Sequence, residues 1–261
     1  MSYQISNITI PQHKRKEIND KIIHLIDNNL TAKHGITSQI IYNTYTGDGG
    51  LHGISFSDYG NFHSFSEAKK EIENGQFFTP HHVCKFIIDC IKPSKHDLIA
   101  DLTAGMGNFF NFLPNHNNVY ANEIDIKAYK VMKYLYPEIH ISRDDIRNYH
   151  QDISFDLILG NPPFNLKWTV EKDEYLSQLY YCIKAHELLK PAGFLALIVP
   201  CSFLSDDFTD SGMIKELNNR YNFVYQVAMP SDVFKSVGVE NFKTKIMFFQ
   251  KKSEHIAEDN S

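Results

Sequence analysis

The chain has 261 residues, 43% of them hydrophobic, and a formal net charge of −5. This length and composition allow one sizeable hydrophobic core, and the negative charge gives no overall attraction to nucleic acid. The longest apolar runs, residues 194–199 and 246–249, are far shorter than the roughly 20 residues that cross a bilayer. No secretory signal is visible at the N-terminus, so we expect a cytoplasmic protein.

The four cysteines, Cys84, Cys90, Cys182 and Cys201, form no Cys-x-x-Cys pair and lack the spacing of a zinc site. Disulfides are unusual in the reducing cytosol. We therefore expect four buried cysteines that behave as small apolar residues, and no bound metal.

The first 74 residues are predicted to be a helical and loop region distinct from the rest of the chain. Apolar residues recur at helical spacing from Lys16 to Leu30, and residues 37–45 fit a second helix. The glycine-rich stretch that follows lacks the Gly-Lys-Ser or Gly-Lys-Thr ending of a phosphate-binding loop, so nucleotide binding is not expected there.

From Thr79 onwards, strand-like and helix-like segments alternate. The alternation predicts an α/β, Rossmann-like fold with a seven-stranded, mostly parallel sheet and helices on both faces. Ligands of such sheets bind outside the carboxyl ends of the strands, near the topological switch point. The predicted strands are Leu98 to Leu102, Val119 to Ile124, Ile139 to Ile141, Phe155 to Leu159, Phe194 to Val199, Phe223 to Ala228 and Thr244 to Phe249. The predicted helices between them are residues 81–91, 108–113, 126–136, 173–189 and 213–221.

The first three strand ends carry residues suited to a nucleoside. Gly105 and Gly107 allow the backbone to approach a ligand closely, although a glycine pair alone is also typical of a tight turn. Glu123 ends the next strand, where a carboxylate can accept hydrogen bonds from ribose hydroxyls. Asp145 and Ile146 follow the third strand and could bind an adenine amino group and cover the ring, although paired aspartates alone are commonly a solvated loop.

Four motifs taken together resemble those of the S-adenosylmethionine-dependent DNA adenine-N6 methyltransferases: DLTAGMGNF, ANEID, RDDI and GNPPF. GQFFTP, at residues 75–80, resembles the motif that precedes them in the gamma-type order. The resemblance covers residues 75–252, and it implies a class I methyltransferase domain over that range. We expect the acidic tail, residues 253–261, to be disordered.

The resemblance also implies which residues contact the cofactor. From local sequence alone, Thr79 and Pro80 would be only the N-cap and first residue of a helix. The implied contacts with S-adenosylmethionine are Phe78, Thr79 and Pro80 at its methionine part, Asp101, Thr103, Ala104, Gly105, Gly107 and Asn108 around it, Glu123 at the ribose, and Asp145 and Ile146 at the adenine.

The motif GNPPF follows the fourth strand and suits methylation of an exocyclic amine. The Asn161 side-chain oxygen and the Pro162 carbonyl can accept the two amine hydrogens and favour the charge that develops during transfer. Pro162 and Pro163 fix this turn, and Phe164 offers a ring to an adenine flipped out of DNA. Phe234 is predicted to be a second stacking ring, or alternatively a core residue. Alone, GNPPF would also fit a rigid turn without chemistry.

Family members that find their own DNA site usually carry a separate target-recognition domain, which we expect this chain to lack. The N-terminal region, a partner protein or the loop opened by residues 165–168 would then contribute to DNA targeting, or the enzyme would be weakly specific. Lys167, Lys235 and Lys243 are the candidate phosphate contacts near the catalytic rim.

The function expected from the sequence is methyl transfer to the N6 amine of adenine in DNA, as a restriction-modification, phage or orphan methylase. One alternative is a protein glutamine-N5 methyltransferase acting on release factors, which shares an Asn-Pro-Pro-aromatic turn. Another is a cofactor-binding subunit of a larger methyltransferase complex.

Overall fold

The computed structural model describes residues 2–4, 10–47, 56–66, 77–205, 211–237 and 242–253. Residues 48–55 of the glycine-rich stretch, Gly75 and Gln76 of the GQFFTP motif, and the acidic tail beyond Ser253 lie outside the described residues.

The seven predicted strands form one sheet, as expected from their buried apolar runs. The strand order is β3-β2-β1-β4-β7-β9-β8, with β9 antiparallel to both of its neighbours and the other pairs parallel. The chain order reverses between β1 and β4, which is therefore the topological switch point. The strands are β1 (Ile99–Asp101), β2 (Val119–Asn122), β3 (His140–Ser142), β4 (Phe155–Gly160), β7 (Leu189–Pro200), β8 (Tyr221–Ala228) and β9 (Thr244–Lys251).

Helices cover both faces of the sheet. One buried cluster joins α1, α2, α3 and α4 to one face, and a second joins α5 and α6 to the other. The mostly parallel sheet with two helical layers is the α/β, Rossmann-like fold that the sequence predicts. The helices are α1 (Gln12–Asp27), α2 (Ser38–Thr44), α3 (His81–Ile91), α4 (Ile126–Leu135), α5 (Ser177–Leu188) and α6 (Ser211–Arg220).

Both predicted N-terminal helices form, and they pack against α4 of the sheet domain. Ile41 and Tyr42 of α2 are fully buried in the same cluster as the sheet residues. Lys127 and Lys130 of α4 lie 3.6 and 2.7 Å from Asp20 and Asp27 of α1. The division of the chain at residue 74 stays a prediction.

A two-stranded hairpin replaces the start of one predicted helix. β5 (Lys167–Val170) pairs with β6 (Asp173–Leu176), so residues 173–176 are extended and α5 begins only at Ser177. Cross-strand contacts explain the difference, because Lys167 forms an ion pair with Glu174 and Trp168 lies opposite Tyr175.

Three smaller predictions also differ from the structure. The predicted helix at 108–113 is a short 3-10 helix, Phe110–Phe112. Helix α3 begins at His81, with Pro80 at the cap position and no side-chain cap, so Thr79 is not the N-cap. Cys90 is exposed and Cys201 is half-buried, so only Cys84 and Cys182 are the buried cysteines expected.

Candidate functional site

A pocket of about 410 Å³ lies at the carboxyl ends of β1 to β4. This is the edge of the sheet at which open α/β folds bind their ligands. The predicted site residues that line the pocket are Phe78, Thr79, Asp101, Thr103, Ala104, Gly105, Asn108, Glu123, Asp145, Ile146, Asn161 and Pro163. Those that do not line it are Pro80, Gly107, Pro162, Phe164 and Phe234.

The turn after β1 is joined to the end of β2 by Glu123. The Gly105 N–H donates to Glu123 Oε2 at 2.7 Å, and the Asp125 N–H donates to Oε1 at 2.7 Å. Gly105 has a φ of 59°, and a Cβ there would lie 2.8 Å from the Phe78 ring. Only glycine therefore allows the turn to fit against the aromatic wall of the pocket.

Two buried carboxyl groups face the pocket, and burial raises both of their pKa values. Desolvation raises the pKa of Asp101 to about 7, although the Thr103 N–H donates to the carboxylate. Desolvation likewise raises the pKa of Glu123 to about 7, against hydrogen bonds from Asp125 and Gly105. A cationic ligand bound beside either carboxyl would lower its pKa, so the group would then be fully ionised at neutral pH.

The other predicted glycine has a packing role. Gly107 has a φ of 81°, and a Cβ there would lie 2.6 Å from the Phe110 ring and 3.0 Å from Tyr136. The neighbouring Asn108 does line the pocket, and its amide donates to the Thr79 carbonyl at 2.8 Å. This bond joins the glycine turn to the Phe-Thr-Pro segment.

At the third strand end, Asp145 is held by Arg147. The Arg147 guanidinium contacts both carboxylate oxygens, at 2.9 and 2.5 Å, and this interaction lowers the pKa of Asp145. Arg147 also donates to the Thr169 carbonyl at 3.3 Å, which ties this strand end to the β5–β6 hairpin. Ile146 is buried beside the carboxylate and lines the pocket.

Asn161 is the polar group of the Asn-Pro-Pro-Phe turn that reaches the pocket. Its amide nitrogen donates to the Phe77 carbonyl at 2.8 Å, which fixes the orientation of the side chain. Its Oδ1 atom is buried and has no hydrogen-bond partner in the part of the chain that the structure describes. A buried, unpaired acceptor is costly, and Asn161 is one of the residues that line the ligand-sized cavity.

Phe234 takes the core position that was its alternative prediction, and Phe164 pairs with a ring that the motifs did not indicate. Phe164 is 8% exposed and stacks on Phe242, with ring centroids 5.5 Å apart and planes 15° apart. Phe234 is 2% exposed and belongs to the hydrophobic core, so it does not reach the pocket. The partner ring that the structure places on Phe164 is therefore Phe242.

The hairpin adds pocket residues that motif analysis missed. Trp168 of β5 and the preceding Leu166 line the pocket, and Trp168 packs edge-on against Tyr180 of α5. Asn122 at the end of β2 was also missed, and its amide donates to the carbonyls of Leu102 and Asp144. Its position at a strand end beside Glu123 was the signal available in the sequence.

The fold and the pocket together define a Rossmann-like protein with a ligand-sized pocket at its switch point. The sequence model of the N-6 DNA Methylase family matches residues 60–260. The chain belongs to this family.

Two curated relatives and one solved structure show how far the similarity extends. The chain is 24% identical over 253 residues to the type I restriction enzyme StySPI methylase subunit of Salmonella potsdam, covering 79% of this chain and 46% of the relative. It is 28% identical over 176 residues to the type II methyltransferase M.HincII of Haemophilus influenzae, covering 60% of this chain and 34% of the relative. The chain thus spans less than half the length of either relative.

The structural comparison covers nearly the whole chain. A Listeria monocytogenes protein assigned to the class I S-adenosylmethionine-dependent methyltransferases superposes with a TM-score of 0.58 at 14% identity, over 94% of this chain and 91% of that protein. At this identity the match supports the fold. Among the described residues, no helix is long and apolar enough to span a membrane, and no group of three or more His, Cys, Asp or Glu side chains could hold a metal ion.

Proposed function

We propose that the chain transfers a methyl group from S-adenosylmethionine to the N6 amine of adenine in DNA. The family match and the names of the curated relatives support this reaction class. The observation that carries the proposal is the Asn161 side chain, which is fixed at its nitrogen and unpaired at its buried oxygen beside the pocket.

The pocket residues fit S-adenosylmethionine, whose sulfonium supplies an electrophilic methyl group when the cofactor is bound. The cavity of about 410 Å³ is of the size that small-molecule ligands occupy. Glu123 can accept from the ribose hydroxyls with the lone pairs that the backbone bonds leave open. The buried carboxylates of Asp101 and Glu123 favour a cationic ligand, and Ile146 can cover the adenine ring.

Asn161 acts on the target amine by accepting one of its hydrogens. The second hydrogen is accepted by the Pro162 carbonyl, so both acceptors pull the nitrogen towards the tetrahedral geometry of the transition state. Pro162 and Pro163 restrict the backbone, and the Ser177 hydroxyl donates to the Pro163 carbonyl at 2.5 Å. The acceptors are therefore in place before the substrate arrives, which lowers the entropic cost of the reaction.

The target base requires an aromatic support after it leaves the duplex. Flipping a base costs a few kcal/mol, and stacking on a ring returns about 1–3 kcal/mol per base. Phe164 and Phe242 form the aromatic surface next to the turn. We assign the stacking role to this pair in place of the pair of Phe164 and Phe234.

DNA targeting is proposed to depend on a partner protein. Lys167 is paired with Glu174, and the hairpin 167–176 carries three acidic residues against two lysines, so this segment gives little attraction to phosphate. Lys235 and Lys243 remain exposed candidates for phosphate contacts. The relative from Salmonella potsdam is itself named a methylase subunit, which supports action within a complex.

Tritium transfer from labelled S-adenosylmethionine tests the proposed function. DNA from a methylation-deficient strain, bulk RNA and release-factor protein serve as acceptors. The expected result is labelled N6-methyladenine in DNA, with the sites then mapped by sequencing the methylated DNA. Label on protein alone would overturn the proposal in favour of a glutamine methyltransferase. Absence of label from all three acceptors would favour a cofactor-binding subunit.

A further inference from the structure

Helix α5 contacts the Asn-Pro-Pro-Phe turn on both sides of Asn161. On the far side, the Gln178 side chain accepts from the Asn165 N–H and donates to Asn165 Oδ1, both at 3.0 Å. On the near side, one turn further along the helix, the fully buried Tyr181 reaches the last residues of β4. One face of one helix therefore holds the turn at both ends.

The Tyr181 hydroxyl lies between β1 and β4 at the switch point. It accepts from the Leu102 N–H at 3.0 Å, donates to the Leu159 carbonyl, and lies 3.4 Å from Asp101 Oδ1. In this parallel ladder the Leu157 N–H bonds the Leu98 carbonyl at 3.2 Å, and alternate residues continue the pattern. If the regular ladder continued, the Leu102 N–H would therefore donate directly to the Leu159 carbonyl.

The hydroxyl stands in place of a direct bond between the two strands, because the Leu102 N–H makes no backbone bond to the Leu159 carbonyl. A direct N–H···O bond spans about 2.9 Å, whereas two bonds through a hydroxyl span up to about twice that distance. The Leu102 carbonyl also bonds to a side chain, because the Asn122 amide donates to it at 3.2 Å. Both backbone groups of Leu102 are satisfied by side chains, and the pocket opens here between Leu102 and Asn161.

Gly160 is adapted to the same contact. A Cβ at this position would lie 2.5 Å from the Tyr181 hydroxyl oxygen and 2.8 Å from Cε1. Any other residue would push the phenol ring out from between the strands. This packing accounts for the glycine at the end of β4, for which the proposed chemistry of the turn gives no reason.

We propose that Tyr181 is a positioning residue whose hydroxyl sets the spacing of β1 and β4, so that Asn161 faces the cofactor turn at a fixed distance. The expected effect on methyl transfer rests on the proposed function. The expected effect on strand spacing rests on the strand geometry alone. Burial raises the pKa of Tyr181 well above its usual value, so the hydroxyl keeps the proton that it donates.

Tyr181→Phe tests the proposal because it removes the hydroxyl and keeps the ring. Tyr221→Phe is the matched control, since Tyr221 is also buried and its hydroxyl donates to the Cys182 carbonyl of the same helix at 2.7 Å. Each variant loses one buried phenol hydroxyl, so we expect similar decreases in Tm. We expect kcat for tritium transfer to methylation-deficient DNA to fall about 10- to 100-fold in Tyr181→Phe and to stay within about twofold in Tyr221→Phe. Calorimetry should give a cofactor Kd within about threefold of wild type in both variants, since Tyr181 does not itself line the pocket. A larger change in Tyr181→Phe would point to the 3.4 Å contact between its hydroxyl and Asp101 Oδ1 and would count against a role confined to strand spacing.

A crystal structure of Tyr181→Phe separates this inference from the proposed function. We expect Leu102 and Leu159 to close to a direct hydrogen bond in the variant. Unchanged strand spacing, or an equal loss of kcat in the two variants, would overturn the positioning role. If the wild-type chain methylates no DNA, the proposed function fails, and the strand spacing in this crystal structure alone decides the inference.

Discussion

Asn161 combines a fixed amide with an unpaired acceptor, and the two features serve different purposes. The bond from Nδ2 to the Phe77 carbonyl prevents the side chain from rotating, so Oδ1 cannot turn to another donor. The energy lost by burying this oxygen unpaired is regained when an amine hydrogen reaches it. Under the proposed function, the residue is thus organised for the transition state before the substrate binds.

Asn161→Ala should therefore lose methyl transfer and retain the cofactor. Removing one such acceptor costs about 100- to 1,000-fold in kcat at comparable sites. We expect a loss of this size in tritium transfer, with the cofactor Kd by calorimetry changed by less than about threefold. Asn117→Ala, at an exposed loop position, is the control. Unchanged turnover in Asn161→Ala would remove this residue from the mechanism.

Asp101 and Glu123 should make cofactor affinity depend on pH near neutrality. Both pKa values are raised to about 7, and a cationic cofactor favours the ionised carboxylates. Affinity should therefore rise with pH from 6 to 8, by about tenfold if one carboxyl dominates, with release of protons on binding. Calorimetry in buffers of different ionisation enthalpy measures both quantities. Glu123→Gln should reduce the proton release, and a Kd independent of pH would contradict the assignment.

The same carboxyl groups predict how the stability of the free chain changes with pH. Because the pKa of each carboxyl is raised in the folded state, the folded chain still holds these protons above about pH 4, where the unfolded chain has released them. This stabilisation is complete below pH 4 and is lost as the pH rises through 7. The two groups therefore make the free chain less stable at pH 8 than at pH 6, and bound cofactor opposes the loss.

At the scale of elements, the β5–β6 hairpin forms one wall of the pocket without contributing a predicted motif. Arg147 links it to the third strand end by contacting both Asp145 and the Thr169 carbonyl. Trp168 and Leu166 line the pocket only while the hairpin is held in this position. The hairpin and the adenine end of the predicted site are therefore coupled through one guanidinium.

Arg147→Ala should weaken cofactor binding more than it slows the reaction. The side chain is partly exposed, so we expect an effect of about 1 kcal/mol, or roughly fivefold in Kd, and little change in kcat at saturating cofactor. Arg143→Ala, an exposed arginine in the same segment, is the control. Calorimetry and saturation kinetics distinguish the two outcomes, and equal effects of both substitutions would rule out the coupling.

The sequence predicts the main sheet well because each strand is a short apolar run between turn residues. The hairpin escapes prediction because residues 171–174, Glu-Lys-Asp-Glu, carry no alternating apolar signal. Motif residues at strand ends were predicted because parallel strands bring their carboxyl ends to one edge. Tyr181 and Phe242 could not be identified, since their roles depend on contacts with residues distant in the chain.

At the scale of the whole molecule, Arg15 connects the N-terminal helix to the loop after β8. It is 3% exposed, and its guanidinium donates to the carbonyls of Ile10 and Ser236. Ser236 lies two residues beyond Phe234, so α1 contacts the loop that follows β8. The N-terminal region therefore contacts this loop as well as the hydrophobic core.

Arg15→Ala should destabilise the entire fold. Hydrogen bonds from a charged donor are worth about 1.5–3 kcal/mol each, and the two carbonyls would lose their donor. We expect a loss of about 2–4 kcal/mol in the free energy of unfolding, measured by urea denaturation. The control is Lys130→Ala, which breaks the exposed ion pair between Lys130 of α4 and Asp27 of α1. It should cost less than about 1 kcal/mol in the free energy of unfolding. Equal effects of the two variants would contradict a structural role for Arg15.

The Arg15 contact also orders events during synthesis of the protein. Arg15 and Ser236 are 221 residues apart, so the acceptor leaves the ribosome long after the donor. At about 5–20 residues per second, the delay is roughly 10–40 s. During that interval α1 is already translated, yet its arginine has no place to be buried. A nascent chain that stops before Ser236 would lack this contact of Arg15, and the complete fold would form only after β8 and β9 have been translated.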